Sequence, residues 1–110
     1  MKLPNADSAI IDIRKLRDYC LSNSHVEGRH KARVFSARLG MTAADSGALK
    51  AAILEGIRYA EVSDYGQTGY GTRYVVDLVV TWKEKSATVR TAWIVRDGET
   101  FPRLVSCYVT

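Results

Sequence analysis

The chain has 110 residues, a length typical of one domain built around one hydrophobic core. Apolar residues make up 46% and charged residues 25%, which excludes the composition of a disordered chain. No apolar run approaches the roughly 20 residues that span a bilayer, and residues 1–13 lack the basic start and apolar stretch of a signal peptide. We therefore expect one cytoplasmic domain over residues 1–110, with no membrane partner.

The positive charge of the chain is concentrated in one segment. The net charge is +4, and the segment from Arg14 to Arg38 alone holds seven Lys and Arg residues against Asp18 and Glu27. Concentrated cations favour a polyanionic partner, because each phosphate that they neutralise releases condensed counterions. The alternative interpretation is a solvated helix face.

Apolar spacing predicts three helices in the first sixty residues. Residues 9–11 form either a short edge strand or the lead into the first helix, which begins after the N-cap Asp12 and ends near Leu21. The second helix begins near Gly28 or Arg29 and stops at Gly40. A capping box over residues 42–45 starts the third, whose apolar stripe comprises Leu49, Ala52, Ile53, Gly56, Ile57 and Ala60.

The period then changes from 3.6 to 2, as expected for strands. Residues 63–72, with three glycines, are predicted to be a mobile or bulged connection. Strands follow at residues 73–82, 87–95 and 103–109, and the first of them places on one face Tyr74, Val76, Leu78, Val80 and Trp82. We expect an α+β fold in which about three N-terminal helices cover one face of a C-terminal antiparallel sheet of about four strands.

Cations cluster where the second helix should begin, at Arg29, His30, Lys31 and Arg33. The helix macrodipole disfavours positive charge there, whereas free backbone N–H groups and cations together favour a bound phosphate. The segment is an anion site, a tolerated charge cluster, or a sign that the helix begins at another residue. Lys31 falls on the apolar stripe and could reach over the sheet edge, or its stem could simply cover apolar surface.

The strands carry a second set of candidates. Arg90 supplies a guanidinium group, and Ser106 and Tyr108 share one strand face. Arg103 belongs to the opposite face, unless a bulge near residue 102 changes the alternation. We expect Asp77 to form a structural ion pair with an arginine across the sheet. Trp82, Trp93 and Tyr108 would serve as stacking platforms for a bound RNA, although core packing is the simpler explanation of the two tryptophans.

Several chemistries lack support. The glycines of residues 65–71 are not followed by Gly-Lys-Ser/Thr, so they are not a nucleotide-binding P-loop. His25 and His30 alone do not make a metal site, and no nucleophile elbow is present. Cys20 and Cys107 lie far apart and are expected to be buried free thiols. We predict no cofactor and no metal.

Taken as a whole, the sequence resembles an uncharacterised bacterial domain family found at the C-termini of polymorphic toxins and haemagglutinin-like adhesins. The resemblance covers nearly the whole chain and is carried by the segments 3–6, 12–21, 28–35, 89–94 and 102–109. The last of them has Ser106 where threonine is expected. The family in turn resembles the barnase-EndoU-colicin-RelE group of small ribonucleases.

That resemblance implies helices before a four-stranded antiparallel sheet and RNA cleavage without metal, by attack of the ribose 2′-hydroxyl on the neighbouring phosphate. It implies proton transfer by His30 or Lys31, phosphate stabilisation by Arg90 and Arg103, and positioning by Ser106 and Tyr108. Arg29 and Arg33 would bind phosphate. RNA and an immunity or antitoxin protein are the implied partners, and the domain would act in the cytoplasm, delivered as part of a larger secreted protein.

Two further hypotheses remain open at this point. One is a non-catalytic module of a toxin, adhesin or phage-related system that binds protein or nucleic acid through the open sheet face and the basic helix. The other is a small-molecule binder or an enzyme of another class.

Overall fold

The computed structural model describes residues 1–110, with helices before strands along the chain. The helices are α1 (Ile13–Lys15), continued by a π-helical turn (Leu16–Cys20), α2 (Arg29–Leu39) and α3 (Ser46–Gly56), and the strands are β1 (Val62–Thr68), β2 (Gly71–Trp82), β3 (Lys85–Arg96) and β4 (Arg103–Val109). The strands form one antiparallel sheet in the order β1-β2-β3-β4. The predicted α+β class is confirmed. No helix combines the length and apolarity needed to cross a bilayer.

The helix ends follow from side-chain and glycine caps. The Asp12 carboxylate accepts a hydrogen bond of 3.0 Å from the backbone N–H of Arg14, as an N-cap does. Gly40 ends α2 in the left-handed conformation at φ 70°, which costs glycine nothing. The Asp45 carboxylate accepts from the Thr42 N–H at 2.9 Å, which completes the predicted capping box before α3.

The prediction of a mobile or bulged connection over residues 63–72 is wrong in its main point. Residues 62–68 form strand β1, paired with β2, and the expected bulge is confined to the step between Val62 and Asp64. Most β1 side chains are exposed, so this edge strand carries no apolar alternation. Its backbone pairing with β2 holds it in place, and hydrophobic spacing does not report such pairing.

The core lies between the helices and one face of the sheet. It is a single cluster of 20 buried residues, to which the sheet contributes Val76, Leu78, Val80, Ala87, Val89 and Trp93 among others. The predicted apolar face of β2 is therefore confirmed, with Tyr74 and Trp82 packed at its two ends. The opposite face of the sheet is not covered by any helix and remains open.

Strand β4 lies at one edge of the sheet and is interrupted by a bulge. Ser106 is opposite Ala92 and Leu104 is opposite Trp93, so Val105 has no partner on β3. Near the start of β4 the edge is covered by one parallel bridge, in which Ile10 accepts a 2.9 Å hydrogen bond from the Leu104 N–H. Residues 9–11 thus make a single bridge rather than a full edge strand. Beyond that bridge, no strand pairs with the outer edge of β4.

Candidate functional site

An open cavity of about 630 Å³ lies along the edge of β4, between that strand, the first helix and the start of α2. Nine residues line it, seven of them polar or charged: Asp12, Arg14, Lys15, Asp18, Tyr19, His25, Lys31, Val105 and Ser106. These residues come from three separate parts of the chain. The cavity therefore depends on the folded arrangement rather than on any one motif.

Lys31 is at the centre of the site. Its ammonium donates a 3.0 Å hydrogen bond to Ser106 Oγ, and it lies 5.1 Å from the Tyr19 ring centroid and 5.6 Å from that of Tyr108. Lysine over two aromatic faces is stabilised by the ring quadrupoles. Although half-buried, Lys31 takes part in none of the ion pairs of the molecule. A cation held in this way leaves its charge available to an incoming anion.

His25 is fixed in one tautomer beside Tyr19. Its Nδ1 accepts hydrogen bonds from the backbone N–H groups of Glu27 at 3.1 Å and Gly28 at 3.0 Å, so Nδ1 carries no proton. In the neutral ring the proton is on Nε2, which can donate it in a hydrogen bond. The imidazole also packs edge-on against Tyr19, with ring centroids 4.7 Å apart.

The two carboxylates of the cavity are already paired with arginines. Asp12 lies 2.7 Å from an Arg14 nitrogen, and hydrogen bonds from the side chain and backbone of Arg14 lower the pKa of Asp12 to about 2. Arg17 binds Asp18 at 2.8 Å and, by that hydrogen bond, lowers its pKa as well. Both acids stay ionised, and neither pairs with a lysine. The two lysines of the cavity therefore give it free positive charge.

Two thiols lie behind Ser106. Cys20 and Cys107 are free and fully buried, as predicted, and Cys20 Sγ is 3.9 Å from Ser106 Oγ. A hydrogen bond with Cys107, and more weakly Ser106 and the charge of Lys31, lower the pKa of the Cys20 thiol to about 6 against the effect of burial. The same contact and burial raise the pKa of Cys107. Because neither sulfur is exposed, neither is placed to attack a ligand in the cavity.

Arg90 extends the site onto the open face of the sheet. It is opposite Tyr108 in the sheet register, and it binds Asp77 through two hydrogen bonds of 2.9 and 3.0 Å, which confirms the predicted ion pair. Hydrogen bonding to Asp77, and then to Tyr108, raises the pKa of Arg90. Tyr108 thus has Lys31 over its ring and Arg90 as its neighbour in the sheet register.

Of the residues predicted from sequence, four come together: Lys31, Ser106, Tyr108 and Arg90. The three neighbours of Lys31 on α2 do not join them. Arg29, His30 and Arg33 are exposed and do not line the cavity. The apolar spacing of α2 explains this division, because Lys31 is the only one of the four on the side that faces the sheet.

Arg103 shares the sheet face of Tyr108 but is engaged elsewhere. The alternation does change, through the bulge at Val105 rather than at residue 102. Arg103 binds Glu99 at 2.9 Å and lies 4.9 Å from the Phe101 ring centroid. Its guanidinium is therefore held at the start of β4, away from Lys31.

Of the nine residues that line the cavity, only Lys31 and Ser106 were predicted as site residues, and the seven that were missed include Tyr19 and His25. Tyr19 lies in the predicted first helix and His25 in the loop after it, where no periodic pattern singles out a residue. The only local signal for a functional residue in that loop was the presence of His25 itself, three residues before Gly28. No group of three or more His, Cys, Asp or Glu residues lies together as metal ligands would.

Comparisons with known proteins locate the fold and the family. One chain of a solved structure titled "Contact-dependent growth inhibition toxin - immunity protein complex from Klebsiella pneumoniae 342" is similar with a TM-score of 0.69. The two are 14% identical, and the match covers 92% of this chain and 99% of that chain, a likeness of fold. No curated protein matches in sequence. The family model described as "Domain of unknown function (DUF6883)" matches residues 2–110, so the chain belongs to that family.

Proposed function

We propose that this domain is a toxin-type ribonuclease that cleaves RNA without a metal ion, by attack of a ribose 2′-hydroxyl on the neighbouring phosphate. The observation that carries the proposal is Lys31, a half-buried residue whose ammonium lies near two aromatic rings, pairs with no carboxylate and lines a cationic cavity. Such a cation can stabilise a phosphate, whose negative charge increases as the 2′-oxygen attacks.

In this reaction the 2′-oxygen bonds to phosphorus and the bond to the 5′-oxygen breaks, which leaves a 2′,3′-cyclic phosphate and a free 5′-hydroxyl. Lys31 stabilises the additional charge on the phosphate oxygens and donates a proton to the departing 5′-oxygen. Tyr108 and Ser106 position the phosphate beside Lys31, and Arg90 adds positive charge from the open sheet face. The Nε2–H of His25 is available as a further donor to a phosphate oxygen.

The proton of the 2′-hydroxyl needs an acceptor in the same cavity. The ionised carboxylates of Asp12 and Asp18 are the acceptors that line it. Arginine pairing makes both weak bases, since their pKa values are lowered. We therefore assign most of the rate enhancement to stabilisation of charge by Lys31 and a smaller part to proton removal.

A second candidate function, binding of nucleic acid without cleavage, is favoured by the outer face of α2. Arg29, Arg33 and Arg38 are exposed there and take part in no ion pair. Like charges four residues apart, as in Arg29 and Arg33, destabilise a helix by a few tenths of a kcal/mol. A bound polyanion removes that repulsion.

The partners proposed for the domain follow from the same function. The similar fold in a toxin–immunity complex supports a toxin role and an immunity protein that neutralises the domain. RNA is the proposed substrate, and the cytoplasm the place of action after delivery within a larger secreted protein. An inhibitor that blocks the Lys31 cavity would protect the producing cell.

The decisive test is to incubate the pure protein with single-stranded RNA in the presence of a chelator, which removes metal ions, and to detect 2′,3′-cyclic phosphate ends. We expect cleavage by the wild type and a loss of about 100-fold or more in Lys31→Met. Lys83→Met is the matched control, because Lys83 also lies over an aromatic ring, 5.5 Å from that of Trp82, at the distant β2–β3 turn. It should cleave like the wild type.

Circular dichroism and chemical denaturation establish that both variants fold. If the RNA stays intact after prolonged incubation with the wild type but still binds it in a salt-sensitive way, the ribonuclease proposal is wrong and the domain is a nucleic-acid-binding module. Equal cleavage by Lys31→Met and Lys83→Met would show that the reaction does not depend on this cavity.

A further inference from the structure

A second depression, of about 600 Å³, lies on the open face of the sheet. It is lined by two aliphatic side chains, a tyrosine, two arginines and a threonine: Ile94, Val105, Tyr70, Arg73, Arg96 and Thr68. None of the residues assigned above to phosphate chemistry belongs to it. It is therefore a separate surface feature, although it is not remote from the Lys31 cavity.

Val105 joins the two. This residue lines both the Lys31 cavity and the second depression, and it is the bulged residue of β4 that has no partner on β3. Val105 is 46% exposed. A chain-like ligand whose phosphate lies at Lys31 can thus continue across one aliphatic side chain onto the sheet face.

The groups in the depression match the parts of a nucleotide. Tyr70, in the turn between β1 and β2, is 82% exposed as a residue, so its aromatic ring is accessible to a ligand from the solvent. Arg96 is exposed and in no ion pair, and Arg73 is held only at 3.6 Å by Asp64. Aromatic rings stack on bases of any identity, and guanidinium groups bind phosphate oxygens.

We propose that this depression is a nucleotide subsite for single-stranded RNA, in which Tyr70 stacks on a base and Arg96 binds the adjoining phosphate. The inference rests on the proposed function, which it deepens: the substrate is a single strand that extends beyond the scissile step and crosses Val105. A duplex does not fit this assignment, because its bases are stacked on one another and unavailable to Tyr70.

The test measures the affinity of 2′-O-methyl oligonucleotides, which bind but lack the attacking hydroxyl, by fluorescence anisotropy. We expect a hexanucleotide to occupy both the Lys31 cavity and the second depression, and a dinucleotide to occupy the Lys31 cavity alone. We expect Tyr70→Ala to weaken hexanucleotide binding by roughly 5- to 150-fold, the loss of one base stack, and to leave dinucleotide binding unchanged. Tyr70→Phe should retain the wild-type affinity, because it keeps the ring.

Tyr59→Ala is the matched control, since Tyr59 is 66% exposed just after α3 and lines neither depression. Equal hexanucleotide affinity in Tyr70→Ala and wild type, with cleavage of RNA intact, would overturn the subsite and leave the ribonuclease proposal standing. Failure of the wild type to bind either oligonucleotide would overturn both proposals together.

Discussion

Alanine at Gly28 should destabilise the protein and disturb the site, although the backbone there is suited to any residue. Gly28 has φ −85° and ψ −17°, ordinary helical values. A Cβ added to it would lie 2.2 Å from the carbonyl oxygen of Tyr19 and 2.9 Å from its carbonyl carbon. The obstacle is therefore the backbone of the first helix, which passes against the start of α2.

The magnitude follows from two opposing effects. Replacing glycine by alanine in a relaxed helical position stabilises a protein by about 0.4–1 kcal/mol, through the unfolded chain. Relieving the contact requires the two helices to separate by on the order of 1 Å, and overpacking of this kind costs about 1–3 kcal/mol. We expect a net loss of about 1–2 kcal/mol in the free energy of unfolding, measured by urea denaturation.

Gly47→Ala provides the matched control within α3, because a Cβ at Gly47 meets nothing within 4 Å. It should stabilise the protein by about 0.4–1 kcal/mol. Since Tyr19 and Lys31 lie on the two helices that Gly28→Ala separates, that variant should also lose affinity for RNA, whereas Gly47→Ala should not. A Gly28→Ala protein as stable as Gly47→Ala would refute the reasoning.

Two further predictions concern the core and the first helix. Trp93 Nε1 donates a hydrogen bond of 2.7 Å to Thr91 Oγ1 inside the core. Thr91→Val should therefore lower the free energy of unfolding, measured by denaturation, by about 1–3 kcal/mol, and Thr91→Ser should lower it less, because serine keeps the hydroxyl. Equal stability of Thr91→Val and wild type would contradict this. Asp12 has a folded pKa near 2, below its ordinary 3.8, so its stabilising effect is complete above about pH 4 and is lost as pH falls through 2. The stability difference between wild type and Asp12→Asn should therefore shrink between pH 6 and 2, and a constant difference would contradict the assignment.

The parts of the fold that were predicted correctly are those in which a local interaction or one-sided burial determines the residue types. Asp12 and Gly40 mark helix ends because a cap is a local interaction between a side chain or a glycine and the nearest backbone groups. The face of β2 with Val76 and Leu78 was predicted because burial on one side imposes a period of two. Strand β1 was missed because its order comes from backbone pairing with β2, which leaves no pattern in exposed side chains.

The site was predicted less completely, for a related reason. Lys31 was identified because it belongs to a cluster of cations at the predicted start of a helix and falls on the apolar stripe of that helix, and both features are visible in the sequence. His25 was not, because its orientation depends on the two backbone N–H groups that bind Nδ1. The proximity of Tyr19 depends on the absence of a side chain at Gly28, which a sequence shows only as a glycine before a helix. Contacts between distant segments leave few local traces.

The bulge at Val105 shows how one irregularity can serve both the core and the site. In a regular strand, alternation would place Leu104 and Ser106 on one face and Val105 and Cys107 on the other. Instead Leu104 and Cys107 are both buried, because the extra residue shifts the alternation between them. Two consecutive residues are then left outside the core. Ser106 binds Lys31, and Val105 borders both depressions, so the continuity that we propose for an RNA strand follows from the same shift that lets β4 complete the core.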